Sequence, residues 1–399
     1  MPWDDVMAEL GLTPLINISG TETVFGASPV SPEVVRAIAG VLPQSVEMAE
    51  LQRAASRAIA AATGAEAGCV TGCPSASIAI SVAACMTGLD LGAIERLPDT
   101  SGLRNEVVIA KGHIVNYGSL ISGDIRLTGA RVVEFGAALE TGLYQLRAAL
   151  GPATAAAVYV VSHHAAPTGM IPLPDFVAAC HGAGVPVIVD AAGEYGWRDF
   201  VATGADLVLF SAQKPLGGPT AGIIAGRRQL VRACYAQQRG IGRPMKAGKE
   251  AVVGTIAALR RWDGLDHAAR NRELDDRIAR LAARLAGVAG LAVARVPDET
   301  GNPFSRLVLT IDPAAAGFSA HGLATALAAG RPRILVRSLQ ADRGILQLDL
   351  RRLDEPMLGL VGDRLLAAIA AVRQAGIGAT PALGDESAAS VLGWLADQS

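Results

Sequence analysis

The sequence predicts an α/β protein with a large, doubly wound, mostly parallel sheet domain and a small C-terminal α+β domain. Three observations carry this. From about Val107 onward short apolar runs alternate with helical stretches, the pattern of strands buried on both faces and joined by crossover helices. After Lys249 the pattern turns Arg- and Ala-rich and helical, and then returns to strands. The length, 399 residues, suits a large domain with a smaller companion better than one unit.

Taken in order, residues 1–16 read as an N-terminal arm and residues 17–250 as the large domain. Ala67–Leu89 carries no charge and is long enough to raise the question of a membrane span. Pro74, three serines and two threonines argue instead for a strand end, a turn and a buried helix. The runs Glu106–Ala110, Ala130–Glu134, Ala156–Val161, Val185–Asp190 and Ala205–Phe210 read as buried strands. Between them, Pro174–Gly184 reads as a helix that ends on glycines. Residues 251–288 predict a connecting helix with Leu259, Leu274, Ile278, Leu281 and Leu285 on its apolar face. Residues 289–376 form the small domain, with strands at Arg306–Asp312, Arg333–Arg337 and Gly344–Asp349 and helices near His321–Ala329 and Pro356–Gln374. Residues 377–399 read as a surface tail.

Composition narrows the function. A formal net charge of -2 gives no basic track for nucleic acid. The five cysteines are odd in number and lack metal-ligand spacing, so ordinary thiols, a reducing compartment and no metal are expected. The acidic start Met1-Pro2-Trp3-Asp4-Asp5 does not resemble a secretory signal; the expected location is the cytoplasm, away from any membrane. Of 35 basic residues only Lys111, Lys214, Lys246 and Lys249 are lysines.

One of those lysines follows a buried strand. In Ala205–Gly222 the apolar run delivers Ser211 and Lys214 into a glycine-rich turn, where close backbone approach suits a covalent cofactor. A loop lysine at the surface is the plainer explanation. Twenty-four positions earlier, Val185–Val189 ends on Asp190. A semi-buried aspartate there would keep a pyridine nitrogen protonated by charge pairing; capping the next helix is the competing role. The turn Gly72-Cys73-Pro74-Ser75 precedes an Ala-rich helix, whose N-terminus favours a phosphate, and Ser211 could add a hydroxyl. His113, in Lys111–Gly118, is a candidate to stack on a ring, with Tyr117 nearby as a substrate contact. His163 and His164 follow the strand ending near Val161, at the edge where ligands gather in such sheets; of the two, His164 is carried as the substrate candidate.

Together these residues resemble the fold-type I pyridoxal-phosphate (PLP) enzymes, and more narrowly the selenocysteine synthase-like group, L-seryl-tRNA(Sec) selenium transferase and its relatives. The marks are Ile16–Thr23, Glu50-Leu51-Gln52 before Thr63–Ala67, Val189–Ala192, Phe210–Gly222 and Gly242-Arg243-Pro-Met-Lys246-Ala-Gly-Lys249-Glu250. The resemblance implies Lys214 as the Schiff-base lysine, Asp190 as the ring-nitrogen partner, His113 as the stacking residue, and Gly72, Cys73 and Ser75 with Ser211 as the phosphate cup. It also implies a homodimer or higher assembly, in which Arg243, Lys246 and the Asn17–Thr23 segment, Thr21 included, reach a neighbouring site. A solvated basic turn is the simpler role for Lys246 and Lys249.

The chain shows no added basic segment for tRNA, and Lys111 and Arg243 are too few to form a track. The Gly-Arg-Pro-Met-Lys run resembles the family's small-molecule branch, which includes sugar-acid ammonia-lyases. The expected activity is a PLP-dependent lyase acting by α,β-elimination on a small amino acid or amino-sugar acid. Lys214 would remove the α-proton while Asp190 keeps the ring nitrogen protonated. Arg337 is a candidate for gripping the substrate carboxylate, with a structural ion pair as the other role. An aminotransferase or aldolase on the same scaffold, or a PLP-binding protein without turnover, would share these residues.

Overall fold

The computed structural model describes residues 5–376. It contains β1 (Leu15–Ile18), β2 (Ala67–Thr71), β3 (Glu106–Ala110), β4 (Arg131–Phe135), β5 (Thr154–Val160), β6 (Val187–Asp190), β7 (Leu207–Ser211), β8 (Gly222–Gly226), β9 (Leu291–Pro297), β10 (Ser305–Ile311), β11 (Arg333–Gln340) and β12 (Ile345–Leu348). Two compact units emerge. The larger comprises Gly26–Leu265 with Glu299–Asn302, and the smaller the described residues on either side of these.

The larger unit holds a seven-stranded sheet in the order β2-β8-β7-β6-β5-β3-β4. Pairings from β7 through β6, β5 and β3 to β4 are parallel, whereas β8 runs antiparallel to both β7 and β2. Every residue of β6 and β7 is buried, which explains why they read as continuous apolar runs and not as alternating ones. The uncharged Ala67–Leu89 segment is β2 and the helix Pro74–Thr87, most of whose residues are buried inside the unit. Among the described residues no helix is long and apolar enough to cross a membrane.

β2 is an edge strand, and its outer side is covered from the helix Met48–Thr63. The Gln52 amide clamps Val70, donating to its carbonyl at 2.8 Å and accepting from its N–H at 3.0 Å, while Ser56 Oγ accepts from Gly68 N–H at 3.1 Å. Side chains thus replace the missing neighbouring strand.

The smaller unit has a five-stranded sheet ordered β1-β11-β12-β10-β9. Residues 15–18, expected to straddle the arm and the large domain, pair in parallel with β11 and so open the smaller unit. The single connecting helix expected over 251–288 is two helices, Lys249–Asp263 and His267–Leu285, parted at Gly264. The first packs on the helices Pro32–Val41 and Met48–Thr63, and Lys249 donates to the carbonyls of Leu42 and Gln44. Lys249 therefore caps a helix end, and the larger unit continues to Leu265. Within the smaller unit Arg306 donates to Asp298 at 2.7 Å and lies near Asp349, and Arg351 stacks on Phe304 at 3.8 Å while also donating to Asp349. Burial raises the Asp349 carboxyl, but the charges of Arg351 and Arg306 outweigh it and hold the group well below the usual range. The expected tail 377–399 lies outside the described residues.

Candidate active site

Thr71, Ala110, Val160, Asp190 and Ser211 each end a strand at one edge of the seven-stranded sheet. The register sets Val160 beside Asp190 and both Thr71 and Ser211 beside Gly222. Side chains just past these positions therefore emerge together, at the carboxyl edge where doubly wound sheets form ligand crevices.

Asp190 is 7% exposed. Burial pushes its pKa up to about 6, against the charge of Lys214 and the Ala192 N–H that donates to Oδ1 at 3.1 Å. Lys214 is half-buried in the turn that links β7 to β8. That turn is closed by Ala212 N–H donating to Ala221 O at 3.0 Å and Gly218 N–H to Ala212 O at 2.9 Å. Gly217 takes φ +62 within it, a conformation that favours glycine. Ser28 Oγ donates to the Lys214 carbonyl at 2.7 Å and fixes the lysine backbone. Ser211 Oγ is enclosed and has no hydrogen-bond partner among the described residues, a cost of about 1–3 kcal/mol unless a bound group meets it.

His113 is 3% exposed, and its Nδ1 accepts from Val160 N–H at 3.5 Å. Burial pulls its pKa down to about 4, so the ring is neutral at physiological pH. One edge of it meets Tyr159, with centroids 4.3 Å apart and planes at 70°.

The small-residue turn is more committed than its sequence suggests. Gly72 N–H donates to Met245 O at 2.9 Å, and a Cβ there would press on the same carbonyl at 3.0 Å. Gly72 is thus a close-approach glycine whose amide is taken, a correction to its expected place among the phosphate donors. Cys73 caps the following helix, its Sγ accepting from Ala76 N–H at 3.4 Å. Ser75 lies in the first turn of that helix, between Pro74, which has no N–H, and Ala76, whose N–H is given to Cys73 Sγ.

Tyr117 Oη donates to Asp124 Oδ2. Burial raises the Asp124 carboxyl while the Tyr117 and Ser75 hydroxyls lower it; burial likewise raises the Tyr117 phenol. Asp124 is close enough to Asp190 to raise its pKa further. Asp124 is absent from the residues expected from sequence. It sits inside the six-residue helix Ile121–Arg126 with no motif around it, and only the packing of that helix on Pro74–Thr87 brings it to the site.

Other candidates are more dispersed. His164 is exposed in the turn after β5, its ring 3.9 Å from that of His163 and its N–H given to Ser162 Oγ at 3.2 Å. Arg243 and Lys246 are exposed, although the Met245 carbonyl between them ties their segment to Gly72. Thr21 is half-buried after β1, and Arg337 is 8% exposed on β11 beside a register shift against β12; both belong to the smaller unit. Among the described residues no group of three or more His, Cys, Asp or Glu is placed to hold a metal ion.

Comparison with known proteins follows the same outline. The family described as SelA, L-seryl-tRNA selenium transferase, matches residues 15–274. A 5'-C-glycyluridine monooxygenase-decarboxylase from Streptomyces is 43% identical over 86% of this chain and 87% of its own. The D-glucosaminate-6-phosphate ammonia lyase of Salmonella typhimurium is 37% identical over 90% of this chain and 97% of its own. A solved structure of a D-glucosaminate-6-phosphate ammonia-lyase superposes with a TM-score of 0.84 at 36% identity, covering 93% of this chain and 99% of that one.

Proposed function

Because the chain belongs to the SelA family and is thus a fold-type I pyridoxal-phosphate enzyme, we propose that it is an ammonia-releasing lyase acting by α,β-elimination on a small amino acid or amino-sugar acid, with Lys214 carrying the cofactor. The observation behind this reading is that half-buried Lys214 and buried Asp190 both lie at the carboxyl edge of the seven-stranded sheet, just past β7 and at the end of β6. The residues present fit the group: an orphaned Ser211 hydroxyl, the helix turn at Cys73 and Ser75, a neutral His113 ring and a buried carboxylate.

When bound, pyridoxal phosphate supplies an electron sink for negative charge at the substrate α-carbon. Lys214 Nζ takes the α-proton. Asp190 holds a proton at the ring nitrogen, and its enclosure keeps water from competing for it. His113 offers a flat, uncharged face, and the amides of Cys73 and Ser75 with the Ser211 hydroxyl hold the phosphate. Arg243, Lys246 and Thr21 serve the site of a neighbouring copy in a homodimer or larger assembly. Tyr117, His164 and Arg337 are the substrate-contact candidates, and Arg337 can grip a carboxylate with two parallel hydrogen bonds. Cytoplasmic location and a small-molecule substrate, without nucleic acid, complete the reading.

The Streptomyces relative favours a second reading, an oxygen-dependent decarboxylation, because it is the more similar of the two named enzymes. Both begin with chemistry at the α-carbon. The deciding experiment is a screen of amino acids, D-amino acids and phosphorylated amino-sugar acids, run under nitrogen and in air, with Lys214→Ala as control. Ammonia and keto acid formed equally in both atmospheres support the lyase. Carbon dioxide released only in air supports the second reading, and stoichiometric conversion of the cofactor to its amine form would overturn both in favour of transamination.

A further inference from the structure

The strands that bring Asp190 and Ser211 to the candidate active site meet a second concavity at their other ends. Pro186, Asp206 and Arg227 flank the far ends of β6, β7 and β8. With Leu89, His181 and Leu230 they line a cleft of about 550 Å³ inside the larger unit, a size that suits a small molecule. Along β7 the cleft and the active site are separated by the strand itself, from Asp206 to Ser211, roughly 17 Å at about 3.3 Å per residue. The polar end of the cleft is built around one carboxylate. Asp206 Oδ2 accepts from Val187 N–H at 2.7 Å and pairs with His181 Nε2 at 2.8 Å, and Oδ1 lies 2.9 Å from Arg227 Nη1. The anion is sealed and the cation is presented: the Asp206 side chain is 2% exposed, that of His181 33% and that of Arg227 56%. An ion pair that only ties strand ends together accounts for the buried Asp206, but it does not require the guanidinium to stand in the wall of a cleft. A guanidinium has five N–H donors, and the Nη1 contact engages only part of them. Asp206 thus fixes the arginine in advance, which lowers the ordering cost of a second, bidentate contact.

We propose that this cleft is a binding site, separate from the catalytic one, for a small organic carboxylate with an apolar body, gripped by Arg227. Two features select that chemistry. The charge of Arg227 is already balanced by Asp206, so a dianion such as phosphate meets little net positive field, whereas a single carboxylate gains two parallel hydrogen bonds from the guanidinium. Leu89, Leu230 and Pro186 supply the apolar wall, which rewards a ligand whose body is hydrocarbon. The site does not depend on the reaction proposed above, because none of its residues belongs to the strand edge at which Lys214 and Asp190 lie.

The test is equilibrium dialysis of the full-length holoenzyme against radiolabelled benzoate, with unlabelled acetate and inorganic phosphate as competitors. Benzoate should bind saturably, and acetate, which lacks the apolar body, should displace it only at concentrations at least about tenfold higher; phosphate should be no better. Arg227→Gln should weaken benzoate binding by at least about tenfold through loss of charged hydrogen bonds. Leu89→Trp, at an exposed position, fills the cleft without touching the Asp206 ion pair. It should weaken binding to a similar degree, and it keeps the proposal falsifiable if Arg227→Gln does not fold. Lys214→Ala should bind benzoate as the wild type does. Absence of saturable binding, or binding unchanged in both Arg227→Gln and Leu89→Trp, overturns the site. Binding lost in Lys214→Ala places the carboxylate in the catalytic site and overturns it as well. Phosphate displacing benzoate as readily as benzoate displaces itself overturns the ligand class.

Discussion

At Asp190 burial and charge oppose each other, and the sign of that conflict can be measured. An acid whose pKa is higher in the folded than in the unfolded chain binds more protons when folded. Its contribution is therefore most favourable at low pH and is lost as pH rises through the folded value, here about 6. From the ordinary carboxylate value to that point the loss is about 3 kcal/mol. In cofactor-free chain, urea unfolding at about pH 4 and about pH 8 should show Asp190→Asn gaining stability relative to wild type by that order at the higher pH. An equal gap at both pH values would mean that Asp190 titrates like an exposed carboxylate. Asp190 and Lys214 were legible in sequence because each closes or follows an uninterrupted apolar run, and because lysine is scarce in this chain. Asp124 was not legible. Nothing within its own helix distinguishes it from a solvated acid, and only the packing of that helix against another, more than thirty residues earlier in the chain, makes it part of the site. Gly72 shows the converse: its residue type reads as an anion turn, but its amide is committed to Met245, a partner too distant in sequence to anticipate.

Among the elements, the central parallel strands were readable to within a residue or two because burial on both faces leaves them uniformly apolar. β8 was not among the expected strands, since Gly222-Ile-Ile-Ala-Gly226 is short, follows directly on the glycine-rich turn and carries glycine at both ends. β1 and β9 were missed for another reason. β1 is four residues long and gains its neighbour from β11, far along the chain, and β9 is mostly exposed, its short Leu291-Ala-Val-Ala run followed at once by Arg295 and Pro297. The edge strand β2 illustrates how a motif residue can be structural. Gln52, one of the marks of the family resemblance, covers the backbone of Val70 at both its donor and its acceptor. Gln52→Leu would strand both groups beneath an apolar side chain, and the expected loss is about 2–4 kcal/mol in urea unfolding. A loss under about 1 kcal/mol would mean that water reaches the β2 edge and that the clamp is dispensable there.

For the whole molecule the open matter is how many chains make one site. Arg243 and Lys246 project exposed from a segment whose backbone is pinned to the Gly72 turn. An arginine exposed beside the Gly72 turn is what a symmetric assembly would use to reach across its two-fold axis, since a residue offered by one copy is received back from the other. Mixing variants tests this directly. Lys214→Ala and Arg243→Ala chains, each inactive alone, are unfolded together and refolded as mixed assemblies. If Arg243 serves the neighbouring copy, each mixed dimer regains one intact site, with Lys214 from one chain and Arg243 from the other, and its second site carries both defects. Random pairing then restores roughly a quarter of wild-type activity. If Arg243 serves its own chain, every site in every pairing retains one defect and activity does not recover, which would return the basic segment to the turn on which its backbone already rests.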